Sequence, residues 1–265
     1  MKKLQITKIN HHLITSSHYL IILLLFCFSA TVSAQKCATS SGSCENKKVH
    51  FGVLVGPTLD WFTATSNDLS RKNIKGGMIT GAILDINLTK NKTFYFSTGV
   101  LVRYLQGDLA YQKEYDISGI FKDSLLITST VTTYQTTYIT IPTGLKFRSN
   151  PAKNCVFVGK LGLYHNIKIG GKQFDSFTIP NSDKNPNQYF VSTPKNPNDA
   201  AARFAESGYI GLGFEYVLKN NFRLFTNVDY SCQFNYFSSK AKNNITNKQF
   251  KSIIHSLHIA VGVLF

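Results

Sequence analysis

"SLHIAVGVLF" (residues 256–265) ends the chain with an apolar side chain at every second position: Leu257, Ile259, Val261, Val263 and Phe265. A spacing of two belongs to a strand, whose side chains point to opposite faces in turn. Chain ends are usually frayed and polar. This one stops on an aromatic. The fold therefore depends on what solvent those five side chains meet.

The same alternation recurs upstream, and eight strands are predicted. The first seven lie near residues 50–62, 78–89, 93–105, 131–147, 155–169, 205–218 and 222–236. Their apolar rows include Phe51, Val53, Val55, Leu59 and Trp61 in the first strand. Phe157, Leu161, Leu163, Ile167 and Ile169 mark the fifth, and Ile210, Leu212, Phe214, Tyr216 and Leu218 the sixth. The opposite faces carry glycines such as Gly52, Gly56, Gly81, Gly144, Gly211 and Gly213. They also carry charge: Asp60, Asp85, Arg103, Lys146, Lys160, Lys168, Glu215, Arg223 and Asp229. A sandwich would leave such charges in water, but an open surface has no need of glycine. Small and charged residues inside with apolar rows outside is the pattern of a membrane barrel. The eight charges Asp60, Asp85, Arg103, Lys146, Lys160, Glu215, Arg223 and Asp229 are expected to pair across the lumen, because a buried charge without a partner costs several kcal/mol.

Connection lengths support this independently. "TKNK" (89–92), "SNPAKN" (149–154) and "LKNN" (218–221) are short. They alternate with long connections near 63–75, 106–130, 170–204 and 237–251. The third long connection contains "PNSDKNPNQYFVSTPKNPND", whose Asn and Pro content reads as mobile loop. Short turns on one rim and long loops on the other are usual in outer-membrane barrels. A spanning strand takes about 9–11 tilted residues, which the closing stretch satisfies. Lipid offers backbone groups no partner, so the last strand must close onto the first. The expected fold is an all-β, eight-stranded antiparallel up-and-down transmembrane β-barrel, with both termini on the short-turn, periplasmic rim.

Residues 1–34 read as a cleaved signal peptide. Lys2, Lys3 and Lys8 precede the apolar "YLIILLLFCF" (19–28), and "VSA" (32–34) supplies small residues for cleavage. Residues 35–48 then form a short periplasmic segment, and 49–265 the barrel domain. Loss of three lysines and no acid lowers the net charge from +15 to +12. Export makes nucleic acid an unsuitable partner, and anionic headgroups or polysaccharide suit the surplus better. Cys37 and Cys44 are expected to form a local disulfide in an oxidising compartment. Cys155 and Cys232 are expected to be unpaired apolar fillers.

Several stretches resemble the PorT-like outer-membrane β-barrel proteins of Bacteroidota. "FGVLVGPTLDWF" resembles that family's opening strand, and "GGMITGAILDINLTKNKTFYFSTGVLVRY" its glycine-spaced second strand, tight turn and third strand. "YITIPTGLKF" is similar to a characteristic strand at Ile141, Pro142 and Lys146, and "VGKLGLYHNIKIGGK" and "GYIGLGFEY" resemble the next two. Gly99 departs from the acidic residue common near that position. The resemblance implies a barrel in the outer membrane with a structural or interaction role; one member of that family supports type IX protein secretion, and most have no assigned activity. The terminal Phe265 resembles the signal that the barrel-assembly machinery recognises.

An eight-stranded barrel is just wide enough for its own side chains to fill, which argues against a diffusion porin. Pro142 removes a ladder donor and is expected at a bulge or irregularity. No metal-ligand spacing and no P-loop, dinucleotide or GxSxG motif occurs, so no cofactor and no enzymatic activity are expected. His165 and His255 have outward parity near the long-loop rim, without a predictable serine and acid in register. His258 has inward parity. Tyr189 and Phe190 in the third long loop are the candidates for contact with a protein or glycan. The alternative is a secreted, lipocalin-like barrel that binds a small apolar ligand. It would turn the Phe/Leu/Val rows inward and the charges outward.

Overall fold

A computed structural model describes residues 48–265 apart from 66–68, 72, 91, 112–114, 117–125, 128, 153, 180–187, 192–200, 219–221 and 238–250. Among these residues there is no helix. Eight long strands follow one another: β1 (Val49–Ala64), β2 (Lys75–Asn87), β3 (Phe94–Tyr111), β4 (Ser129–Arg148), β5 (Cys155–Ile179), β6 (Phe204–Val217), β7 (Arg223–Gln233) and β8 (Ser252–Leu264). Each pairs antiparallel with its neighbours in sequence. The closing stretch finds its partner at the other end of the chain. β8 pairs with β1 from Gly52↔Leu264 to Ala64↔Ser252, so the sheet is a closed barrel. The Phe265 N–H donates to Phe51 O at 2.7 Å beyond the last rung.

Closure gives every strand an inner and an outer face. On β8, Ile259 and Val261 are exposed outside, whereas Ser252, Ile254, Ser256, His258 and Ala260 are buried inside. On β6, Leu212 is 72% exposed and Glu215 1%. The apolar rows point out and the ionised groups point in, the reverse of a lipocalin. The glycines of the inner face make room for larger inward neighbours. A Cβ at Gly107 would enter the Phe62 ring, and one at Gly211 would strike the Asp229 carboxylate.

The wall is taller at the long-loop rim than the apolar pattern indicates. β3 continues to Tyr111, β4 starts at Ser129 and β5 runs to Ile179, all within stretches read as loop. "STVTTYQTT" carries few apolar residues, but threonine is a strong strand former. Leu69–Arg71 pairs with the top of β3 where β2 has ended. In the third connection, Gln188–Val191, which contains Tyr189 and Phe190, is a short strand on β5 rather than loop. A further short pair joins Tyr115–Asp116 to Leu126–Ile127.

Two prolines interrupt rungs without moving the register. The β3–β4 ladder passes from Thr98↔Thr143 to Leu101↔Thr140 across Pro142. The β1–β8 ladder passes from Val55↔Val261 to Thr58↔His258 across Pro57. Proline has no N–H to give. The one register shift of the β4–β5 pair lies at Thr137/Tyr138, so Pro142 marks a gap and not a bulge. Cys155 and Cys232 are free thiols. They share the outward parity of Phe157 and Tyr230, and Cys155 is exposed. Cys37, Cys44 and the predicted signal peptide lie outside the described residues.

Candidate functional site

The lumen holds the charged side chains in three groups. Nearest the short-turn rim, Lys146 Nζ lies 2.5 Å from Asp85 Oδ2 and 2.6 Å from Glu215 Oε1. Arg148 meets the other Glu215 oxygen at 2.6 Å and Arg223 approaches it at 3.6 Å. Ser97 donates to Asp85 at 2.7 Å, and the Arg148 guanidinium donates to the Tyr95 hydroxyl at 2.9 Å. Lys160 pairs with Asp229 at 2.7 Å. Further towards the long loops, Arg103, 3% exposed, reaches Asp60 at 3.0 Å. Thr58 and Ser256 supply hydroxyls to the same Asp60 carboxylate. Lys168 instead donates to Ala201 O at 2.9 Å. His258 is inside, stacked on Tyr164 with its Nε2 3.5 Å from Ser231. Each of these four carboxylates therefore has a cationic partner, which offsets the cost of burial.

Charge is only part of the filling. Phe62, Leu105, Leu109, Tyr134, Phe237 and Ile254 form a buried apolar cluster near the long-loop rim. Phe237 packs at 4.8 Å from the Phe62 ring and 5.2 Å from that of Tyr134. A second cluster joins Ile79, Ile83, Leu101, Phe225 and Leu264. An internal cavity of about 30 Å³ beside Lys160, Tyr164, Asp229 and His258 holds one or two waters at most. The apolar clusters escaped the pattern reading because they share a face with glycine and charge. Arg148 escaped because it sits at a strand end, although its parity with Lys146 points it inward.

Polar groups also lie on the outside. Asp108 is buried there by Asn73 at 3.0 Å, Lys75 at 3.1 Å and Thr133 at 2.8 Å, which clips the first long connection to the wall. His255 accepts or donates to the Tyr230 hydroxyl at 2.7 Å and stacks on Trp61 with centroids 5.7 Å apart. His165 does have a hydroxyl and an acid in reach: Thr143 Oγ1 at 2.9 Å and Glu206 Oε1 at 3.4 Å. Sequence parity alone could not find them, since they stand on two other strands. No cluster that could hold a metal occurs among the described residues.

A family model described as outer membrane protein beta-barrel domain matches residues 33–235. The chain belongs to that family. This outer-membrane barrel matches no curated protein. Among solved structures it is similar to Ail of Yersinia pestis at 14% identity, over 82% of this chain and 99% of that one, with a TM-score of 0.34. OprG of Pseudomonas aeruginosa matches at 11% identity over 82% and 95%, with a TM-score of 0.39. Neisserial surface protein A matches at 10% over 81% and 95%, with a TM-score of 0.33. The outward rows Val55, Leu59, Leu161, Ile210, Leu212, Ile259 and Val261 are therefore the surface this barrel offers to membrane lipid.

Proposed function

We propose that this outer-membrane barrel is a closed scaffold that acts through its outer wall and long loops and not through its lumen. The observation that carries the reading is the double seal. The Phe62–Tyr134–Phe237 cluster fills one end, and the Lys146–Glu215–Arg148 network fills the other. In this reading a signal peptide at residues 1–34 directs export, and residues 35–48 lie in the periplasm. The barrel-assembly machinery inserts the chain with its short turns and both termini on the periplasmic side. The inner charge pairs, from Asp60–Arg103 to Lys160–Asp229, hold the wall together and carry no ion. The long loops meet a protein or glycan partner, and the resemblance to PorT-like barrels makes protein secretion the process to examine.

Planar-bilayer recording on the refolded full chain tests the seal: no stable conductance steps are expected, and a steady open current would refute a closed lumen. Deleting the gene and assaying secreted cargo tests the secretion role; unchanged secretion removes it.

A further inference from the structure

The short-turn end of the barrel carries two features side by side. The first is a belt of phenylalanine on the outer wall. Phe94 packs against Phe147 with ring centroids 5.2 Å apart, and Phe157 against Phe214 at 4.5 Å. Phe265 lies 5.4 Å from Phe222 and 6.4 Å from Phe51, so the belt crosses the seam where the sheet closes. Each of these rings stands no more than three residues from the short-turn end of its strand. An aromatic girdle on a barrel marks the level where hydrocarbon gives way to headgroups.

The second feature is charge of one sign. Lys90, Lys92, Lys153 and Lys219 are the only ionisable residues of the three short connections. Lys48 stands beside the first of these connections, since its carbonyl accepts from the Asn87 N–H at 2.7 Å. All five lysines lie within four residues of a phenylalanine of the belt, and Lys48 and Lys90 are exposed. Asp85 and Glu215, the acids at this end, are buried in the lumen and paired there with Lys146 and Arg148. They do not offset the rim. The long connections, taken together, mix both signs.

A lysine beside such a belt lays its stem along apolar surface and presents its ammonium at the depth of the lipid phosphates. A zwitterionic headgroup brings an ammonium of its own that competes for the same phosphate. An anionic headgroup brings none. Each lysine near an anionic lipid surface strengthens the attraction about fivefold. We propose that the short-turn rim is a binding surface for anionic phospholipid headgroups, with the lysines on the phosphates and the phenylalanine belt on the upper acyl chains of the same lipids. This rests on the reading of the chain as a barrel that stands in the membrane, and adds which lipid gathers around one of its rims.

The test uses the full chain refolded in phosphatidylcholine vesicles that carry a trace of spin-labelled phosphatidylglycerol or spin-labelled phosphatidylcholine. Electron paramagnetic resonance then reads the fraction of each label slowed at the protein surface. The phosphatidylglycerol label is expected to associate at least about fivefold more strongly, the effect of one lysine, and molar salt should erase the preference. Replacing Lys90, Lys92, Lys153 and Lys219 together by Gln should bring the ratio close to one. Replacing Lys113, Lys122, Lys184 and Lys195 of the long connections by Gln removes the same net charge and should leave the ratio unchanged. A gel run before and after boiling confirms that each variant is folded. Equal association of the two labels, or a preference that survives loss of the short-turn lysines, overturns the proposal. So does a preference abolished by inorganic phosphate at constant ionic strength, which would assign the rim to free anions. A barrel that slows neither label has not entered the bilayer, and that outcome removes the membrane reading together with the proposal; slowed lipid without preference removes the proposal alone.

Discussion

Glu215 concentrates the electrostatics of the lumen. One buried carboxylate faces Lys146, Arg148 and Arg223. Glu215→Gln leaves cations short of counter-charge where water is scarce, and is expected to cost about 3–5 kcal/mol, read as a lower urea midpoint for unfolding from vesicles. Asp229 faces one cation, Lys160, and the Tyr164 hydroxyl at 3.5 Å, beside a small cavity, so Asp229→Asn should cost clearly less in the same assay. At Gly107 a methyl group would enter the Phe62 ring. Gly107→Ala should therefore lose about 1–3 kcal/mol through overpacking, also visible in the urea midpoint. The inward direction of Glu215, Lys146 and Asp229 was legible from parity alone. Their pairing was not, because the partners come from strands far apart in sequence.

A strand of this barrel is a two-sided object, and its faces should respond oppositely to the same chemistry. Ile259 on β8 is exposed to lipid, and its neighbour His258 is buried in the lumen. Ile259→Arg is expected to destabilise by about 2–4 kcal/mol if it lies near the bilayer midplane. His258→Gln, whose amide can replace the Ser231 hydrogen bond, should cost little. Comparing the two by unfolding in the same vesicles checks the polarity of the whole strand. The element cores were readable because their apolar residues alternate. The upper ends of β3, β4 and β5 were not, since threonine-rich wall and polar loop look alike when only apolar spacing is counted. The outer trio around His165 was hidden for a related reason: spacing along one strand does not disclose what stands beside it on the next.

At the scale of the molecule, the short turns carry Lys90, Lys92, Lys153 and Lys219 and no acid, whereas the long connections mix both signs. If those turns face the periplasm, protease added to intact cells should cut within the long connections and leave the short turns whole. Cleavage of intact cells at Lys90 or Lys219 would reverse the assignment.

The seam between β1 and β8 is made of the same antiparallel rungs as the other seven, and it brings Phe265 against Phe51. Nothing in the cylinder distinguishes the place where the polypeptide is cut. A short glycine bridge from Phe265 to Val49, with new ends opened in the "LKNN" turn, should yield a circularly permuted molecule with the same boiling-sensitive gel mobility. The topological ends would then be β6 and β7, and the former ends an ordinary hairpin.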